Sequence, residues 1–205
     1  MHIACLDFEG VLVPEIWVGL AERTGIEELK VTTREIPEYD RLMHMRLELM
    51  KKHRLGYKEL LAAAEGLDPL PGASDFLEWL RGEFQVAIVS DTFYELALPL
   101  LRKLGMPMML CHRLIVDEQG ALAGYRLRQP DPKRHAIKGF KAMKFNVMVT
   151  GDSYNDIPML EEADRGCFFC PPDNVVRDYP AFAIARSYQE LKGQFSAAKR
   201  AFDEA

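Results

Sequence analysis

Apolar residues in this chain fall into short continuous runs, each ending in a polar cluster and separated by amphipathic stretches. Met1–Leu6 is the first run, apolar apart from His2, and Gly10 marks the turn after it. Gln85–Val89 (QVAIV), Asn146–Thr150 (NVMVT), Gly166–Phe169 and Phe182–Ala185 follow as further strands. Gly72–Arg81, Phe93–Leu104 and roughly Tyr188–Phe202 carry helical periodicity, the second of these stopping at Gly105. Unbroken apolar strands between amphipathic helices predict an α/β fold, a Rossmann-like doubly wound parallel sheet covered on both faces.

Two stretches depart from this alternation. Residues 15–70 hold no convincing strand and read as helices at about 15–24, 38–53 and 57–65, punctuated by Gly25, Pro37, Gly56 and Gly66. Lying between the first strand and the next βα unit, this stretch predicts a small inserted helical cap. The division is then residues 1–14 and 71–205 for the α/β core and 15–70 for the cap. Leu114–Arg128 alternates around Asp117-Glu118-Gln119-Gly120, which predicts a β-hairpin.

Composition narrows the partners. With 205 residues, 48% of them hydrophobic, the chain is expected to bury roughly 70% of its unfolded surface, enough for one core and an appendage. The formal net charge of −5 and the lack of a long basic run give a nucleic-acid or anionic-membrane partner no electrostatic support. No apolar run approaches the roughly 20 residues of a membrane span, and the start of the chain carries no basic leader, so a cytoplasmic location is expected. The four cysteines sit among apolar residues and suggest no disulfide framework. Cys167-Phe168-Phe169-Cys170 has redox or metal spacing, but as a lone pair within a strand it reads as buried and structural.

Three strands end in polar clusters: Asp7/Glu9, Ser90/Asp91/Thr92 and Asp152/Asn155/Asp156. Taken singly, each has an ordinary reading as a solvated loop, a helix cap or a turn. In an open α/β sheet, however, ligands bind outside the carboxyl ends of the strands. Several carboxylates gathered there repel one another unless a cation or catalytic chemistry compensates. A hard divalent ion such as Mg²⁺ suits one or two carboxylates together with phosphate oxygens and water. Pro132 at a first helical turn would put Lys133 near an anion-favouring helix N-terminus, although Lys138 and Lys141 lie close by.

The motif series Asp-x-(Asp/Glu)-Gly, strand-Ser, Lys and Gly-Asp-x-x-Asn-Asp, in this order, is similar to that of the haloacid dehalogenase-like phosphohydrolases, over essentially the whole chain. Within them the chain resembles the phosphoserine phosphatase group, and a subgroup that also transfers the phosphoryl group to homoserine. The closer match is carried by Asp7–Glu15, Ser90–Glu95, Asp131–Arg134 and Gly151–Asp156. The resemblance implies Asp7 as the nucleophile that becomes an aspartyl phosphate, and Glu9 as the acid/base group. It implies Mg²⁺ held by Asp7, the carbonyl of Glu9 and Asp152, with Asp156 in support. Ser90, the backbone at Asp91 and Lys133 would bind the phosphoryl oxygens, and Asn155 would hold substrate or order the metal site. Glu15 and Arg46 stand where relatives bind the ammonium and carboxylate of phosphoserine.

Two departures accompany the match. Most relatives have Asp where Glu9 stands, and the added methylene moves the carboxyl by about 1.5 Å, enough to alter catalytic geometry. Asp91-Thr92 replaces a pair of glycines, which narrows the pocket and puts a negative charge beside a phosphate. Hydrolysis of phosphoserine is the expected activity, with homoserine as an alternative acceptor. A receiver-like phospho-acceptor domain and a phosphatase for another small phosphomonoester are the rival readings. Exposed apolar residues of the cap and hairpin permit a homodimer.

Overall fold

The computed structural model describes residues 1–36 and 38–204. Pro37, read from the sequence as one of the punctuating positions, lies outside the described residues. Seven strands form one sheet: β1 His2–Leu6, β2 Gln85–Phe93, β3 Met108–Val116, β4 Leu122–Arg126, β5 Asn146–Gly151, β6 Arg165–Phe169 and β7 Ala183–Ala185. Their order is β4-β3-β2-β1-β5-β6-β7, parallel throughout except for the antiparallel β3–β4 hairpin at one edge.

The central strands bury both faces, and a period of two sorts their side chains. Ala4 and Leu6 of β1, Ile88 of β2 and Met148 of β5 enter one apolar cluster. Ile3 and Cys5, Ala87 and Val89, and Val147 and Val149 enter the other. Helices α4 (Ala73–Glu83), α5 (Tyr94–Lys103) and α9 (Tyr188–Asp203) cover the first face. α6 (Pro132–Ala142) and the short α7 (Ile157–Glu162) and α8 (Asp173–Asp178) cover the second. At six residues each, α7 and α8 are too short to show a 3.6-residue repeat, and the sequence reading names neither.

Between β1 and α4 lie α1 (Ile16–Thr24), a 3-10 turn Glu27–Lys30, α2 (Tyr39–Lys52) and α3 (Tyr57–Glu65), with no named strand among them. α1 ends on Gly25, whose φ of 72° is left-handed and whose N–H donates to the Ala21 carbonyl. The apolar faces of these helices (Trp17 and Leu20, Met43 and Met50, Leu60 and Ala64) join the first cluster. That packing seats the helical layer on the sheet end to which the polar clusters belong.

Three expectations need correction. β2 does not stop at Val89 but runs on to Phe93, so Ser90-Asp91-Thr92 belongs to the strand. The hairpin is longer on its first side, since β3 begins at Met108 and pairs with β2 before it pairs with β4. Cys170 is exposed, with a left-handed φ of 45°, one residue beyond the end of β6, while Cys167 is buried against Thr150. The two cysteines therefore do not form one buried structural pair.

Candidate active site

Asp7 leaves β1 where the ladder to β5 ends, its N–H donating to the Thr150 carbonyl at 3.0 Å. The chain then doubles back: Leu12 and Val13 N–H both donate to the Phe8 carbonyl, at 2.8 and 3.1 Å. Phe8, Val11, Leu12 and Val13 are fully buried, so the loop is anchored from below by apolar packing. Gly10, at φ +79°, closes it, and a Cβ there would lie 2.5 Å from an Asp152 carboxylate oxygen. Glycine is required on both counts, conformation and space.

Asp152, Asn155 and Asp156 follow β5. Asp156 is wholly buried, and one of its oxygens accepts the N–H groups of Asp152 (2.8 Å) and Ser153 (3.1 Å). Its other oxygen accepts from Lys133 Nζ. Gly151 makes room, because a Cβ there would collide with the Asp156 carboxylate. Lys133, the second residue of α6 after Pro132, is 2% exposed and reaches Asp7 Oδ2 at 3.0 Å and Asp91 Oδ2 at 3.7 Å. Lys138 and Lys141, which lie nearby in sequence, pair instead with Glu162 and Asp164.

β2 reaches the same place through an irregular pairing. Val89 pairs with Leu110 and Phe93 with His112, so Ser90–Thr92 bulge out of the ladder. Such a bulge re-aims side chains next to functional sites. Asp91 Oδ2 accepts from Asn155 Nδ2 at 2.8 Å, its carbonyl accepts from the Tyr39 hydroxyl at 2.7 Å, and the Thr92 N–H donates to Ser90 Oγ at 3.3 Å.

Asp7, Asp152 and Asp156 offer carboxylate oxygens that all lie within 4.8 Å of one another. Burial pushes the Asp7 carboxyl well above its ordinary value, Asp156 adds to the rise, and Lys133 opposes it. Asp152 is pushed up to about 6 by burial and then by Asp156, against the pull of Arg34. Burial alone would raise Asp91, but Lys133 with hydrogen bonds from His112 and Asn155 outweighs it and holds Asp91 below its ordinary value. Burial would lower Lys133, yet Asp156, Asp7 and Asp91 keep it well above the usual lysine range. Four buried or half-buried carboxylates thus face Lys133 and Arg34, a negative surplus of hard oxygen donors. That donor set fits a divalent cation.

The helical layer closes the cleft. Glu9 does not join the three-aspartate group: its carboxylate accepts from the Ile16 N–H at 3.0 Å, at the start of α1, while still lining the same cleft as Asp7. Glu15, the residue before α1, is raised by burial and by Glu9 and Asp152. Arg46 is buried, stacks 4.7 Å over the Trp17 ring and donates to the Val31 carbonyl at 3.1 Å. Its Nε has no partner. Eight of the ten expected site residues line one cleft: Asp7, Glu9, Glu15, Arg46, Ser90, Asp91, Asp152 and Asn155. Lys133 and Asp156 are buried next to Asp7, Lys133 touching both carboxylates.

Sequence reasoning missed several contributors. Arg34 pairs with Asp152, and Thr33 reaches Ser153 and Asn155 at 3.4 Å. Nothing in Thr-Thr-Arg-Glu announces those contacts. Tyr39 and His112 were equally silent, although His112 is a polar residue inside an apolar run, which is a usable signal.

Known proteins resemble this chain over most of its length. The family model for haloacid dehalogenase-like hydrolases matches residues 1–164. A Pseudomonas syringae pv. tomato protein named phosphoserine phosphatase is 52% identical over 195 residues, covering 95% of this chain and 82% of that protein. A Pseudomonas aeruginosa protein named phosphoserine phosphatase ThrH is 51% identical over 195 residues, covering 95% of each. A solved phosphoserine phosphatase in apo form superposes with a TM-score of 0.77 at 23% identity, covering 94% of this chain and 98% of that one. At that identity the structural likeness speaks for the fold alone.

Proposed function

The chain belongs to the haloacid dehalogenase-like hydrolases, and we propose that it hydrolyses phosphoserine through a phosphorylated Asp7. The observation that supports this most is the pairing of a buried Asp7 with Lys133 at 3.0 Å, beside a cleft that Asp7 lines together with Glu15 and Arg46. Two relatives above 50% identity bear the name phosphoserine phosphatase, which supports the same substrate.

In this reading the Asp7 carboxylate attacks phosphorus as the bond to the serine oxygen breaks, and Glu9 delivers a proton to that oxygen. Glu9 then takes a proton from a water molecule that attacks the aspartyl phosphate, releasing inorganic phosphate and restoring Asp7. Lys133 and the Ser90 hydroxyl hold the phosphoryl oxygens, and the amide behind Asp91 assists. Asp7, the Glu9 carbonyl and Asp152 would hold Mg²⁺, with Asp156 in support. When bound, the ion neutralises phosphoryl charge so that an anionic nucleophile can approach. Asn155 orders this edge of the site through Asp91.

Glu15 and Arg46 are assigned to the substrate ammonium and carboxylate, and the unpartnered Arg46 Nε is a donor ready for an anion. Residues 15–70 then act as the cap over a core of residues 1–14 and 71–205. Among the described residues no helix is long and apolar enough to cross a membrane. For a homodimer the hairpin offers exposed Ile115 and Val116, while among the described residues of 15–70 no large apolar side chain is exposed.

Phosphate release from phosphoserine with and without Mg²⁺ tests the proposal, and absence of Mg²⁺-dependent release defeats it. Adding homoserine separates hydrolysis from transfer: formation of phosphohomoserine at the expense of free phosphate identifies a transferase.

A further inference from the structure

His112 lies in β3, 1% exposed, and neither ring nitrogen is idle. Nδ1 accepts the backbone N–H of Arg128 at 3.2 Å, which leaves the ring proton on Nε2. Nε2 faces Asp91 Oδ1 at 3.4 Å. Each contact runs to an element that carries part of the site. Asp91 sits in the bulge that also presents Ser90, and the bulge exists because β2 skips from Val89 to Phe93 while β3 advances only from Leu110 to His112. Arg128 lies in the loop that delivers Lys133, and its guanidinium donates to the Pro132 carbonyl at 3.0 Å, one residue before that lysine.

A buried core histidine with satisfied nitrogens would need no further account if packing alone fixed its neighbours. Here packing does not. A second cleft of about 320 Å³ lies against Tyr39, Asp91, His112, Leu127, Lys133 and Asn155. Asp91 therefore has open space beside it and is held by polar contacts: a hydrogen bond from Asn155 on one oxygen and His112 Nε2 at 3.4 Å from the other. Its Oδ2 is already 3.7 Å from Lys133 Nζ, whereas Asp7 is 3.0 Å from the same nitrogen. An Asp91 freed on one side would close on Lys133, draw it from Asp7 and bring its own charge toward the phosphoryl position.

We propose that His112 is a positioning residue for the phosphoryl end of the cleft: it holds Asp91 turned aside and fixes the loop that sets Lys133 against Asp7. The inference rests on the proposed function only in that the cleft receives a phosphoryl group. It assigns His112 no contact with substrate.

The test is calorimetric titration of inorganic phosphate into the full-length protein saturated with Mg²⁺. His112→Phe refills the ring volume without the hydrogen bonds and is expected to weaken phosphate binding by about tenfold. His112→Gln, which keeps an amide donor for Asp91, is expected to stay within about threefold of the parent. In an Asp91→Asn background the same His112→Phe change is expected to cost less than about twofold, because the charge it restrains is gone. Thermal melts of each variant accompany the titrations. Unchanged phosphate affinity in His112→Phe, an undiminished effect in the Asp91→Asn background, or no phosphate binding by the parent overturns the proposal. If His112→Phe does not fold, His112→Gln compared with His112→Leu reads the same contrast. These are binding measurements, so they decide the role of His112 whether or not phosphoserine is turned over.

Discussion

The two ends of the cleft are built differently. At the strand ends, Asp7, Asp91 and Asp156 each have partners on both carboxylate oxygens, with Lys133 reaching all three. On the helical layer, Arg34 and Arg46 each keep a buried Nε without a partner, and no other buried side-chain nitrogen or oxygen among the described residues is left so. A buried polar group left unmatched costs about 1–3 kcal/mol. The strand-end half is thus assembled before any ligand arrives, while the helical half holds donors that an anionic ligand would complete. Preorganised charge serves chemistry. Unsatisfied donors serve selection, because only a ligand with matching acceptors relieves them.

Substitutions at the strand ends should strike turnover, and substitutions on the helical layer should strike substrate choice. The largest effect is expected from Asp7→Asn, which removes the nucleophile and should lower kcat by about 10⁴-fold or more while the protein still melts cooperatively. Near-normal turnover in that variant would remove Asp7 from the mechanism. Lys133→Met comes next. It should lower kcat by about 10²–10³-fold and, by leaving buried carboxylates uncompensated, cost about 3–5 kcal/mol in urea unfolding. A Lys133→Met protein as stable as the parent would mean that the strand-end charges are not coupled as described.

Glu9→Gln is expected to slow turnover by about 10²-fold through loss of acid/base function. Because Glu9 also accepts from the Ile16 N–H at the start of α1, a stability loss of about 1 kcal/mol should accompany it. Loss of stability with full activity would make Glu9 a helix cap only. The smallest effect is the most selective. Arg46→Ala should raise KM for phosphoserine by about tenfold to a hundredfold. For phosphoethanolamine, which lacks the carboxylate, the change should stay within about threefold. Equal losses on both substrates would erase the distinction between the two ends of the cleft.

Much of the strand-end half was legible in the sequence because its signals are local. An apolar run followed by Asp7, or by Gly151-Asp152, places a carboxylate at a strand end without knowledge of the rest of the chain. Pro132 likewise marks the first turn of α6 and so locates Lys133. What stayed hidden depends on distant pairing. The extension of β2 through Ser90-Asp91-Thr92 is set by its irregular register with β3, and the early part of β3 shows no alternation of its own. Arg34, Tyr39 and His112 enter the site only because the helical layer and β3 pack there. Glu9 shows a third kind of limit: its position in the loop was readable, but the turn of its carboxylate toward α1 was not.

The central claim is a phosphoryl group carried on Asp7. It is tested most directly by acid-quenching the protein during turnover of ³²P-phosphoserine in the presence of Mg²⁺ and mapping the labelled peptide by mass spectrometry. The account predicts an acid-stable, hydroxylamine-labile label on Asp7 that is absent from Asp7→Asn. Turnover without any labelled protein, or a label on a different residue, would contradict it.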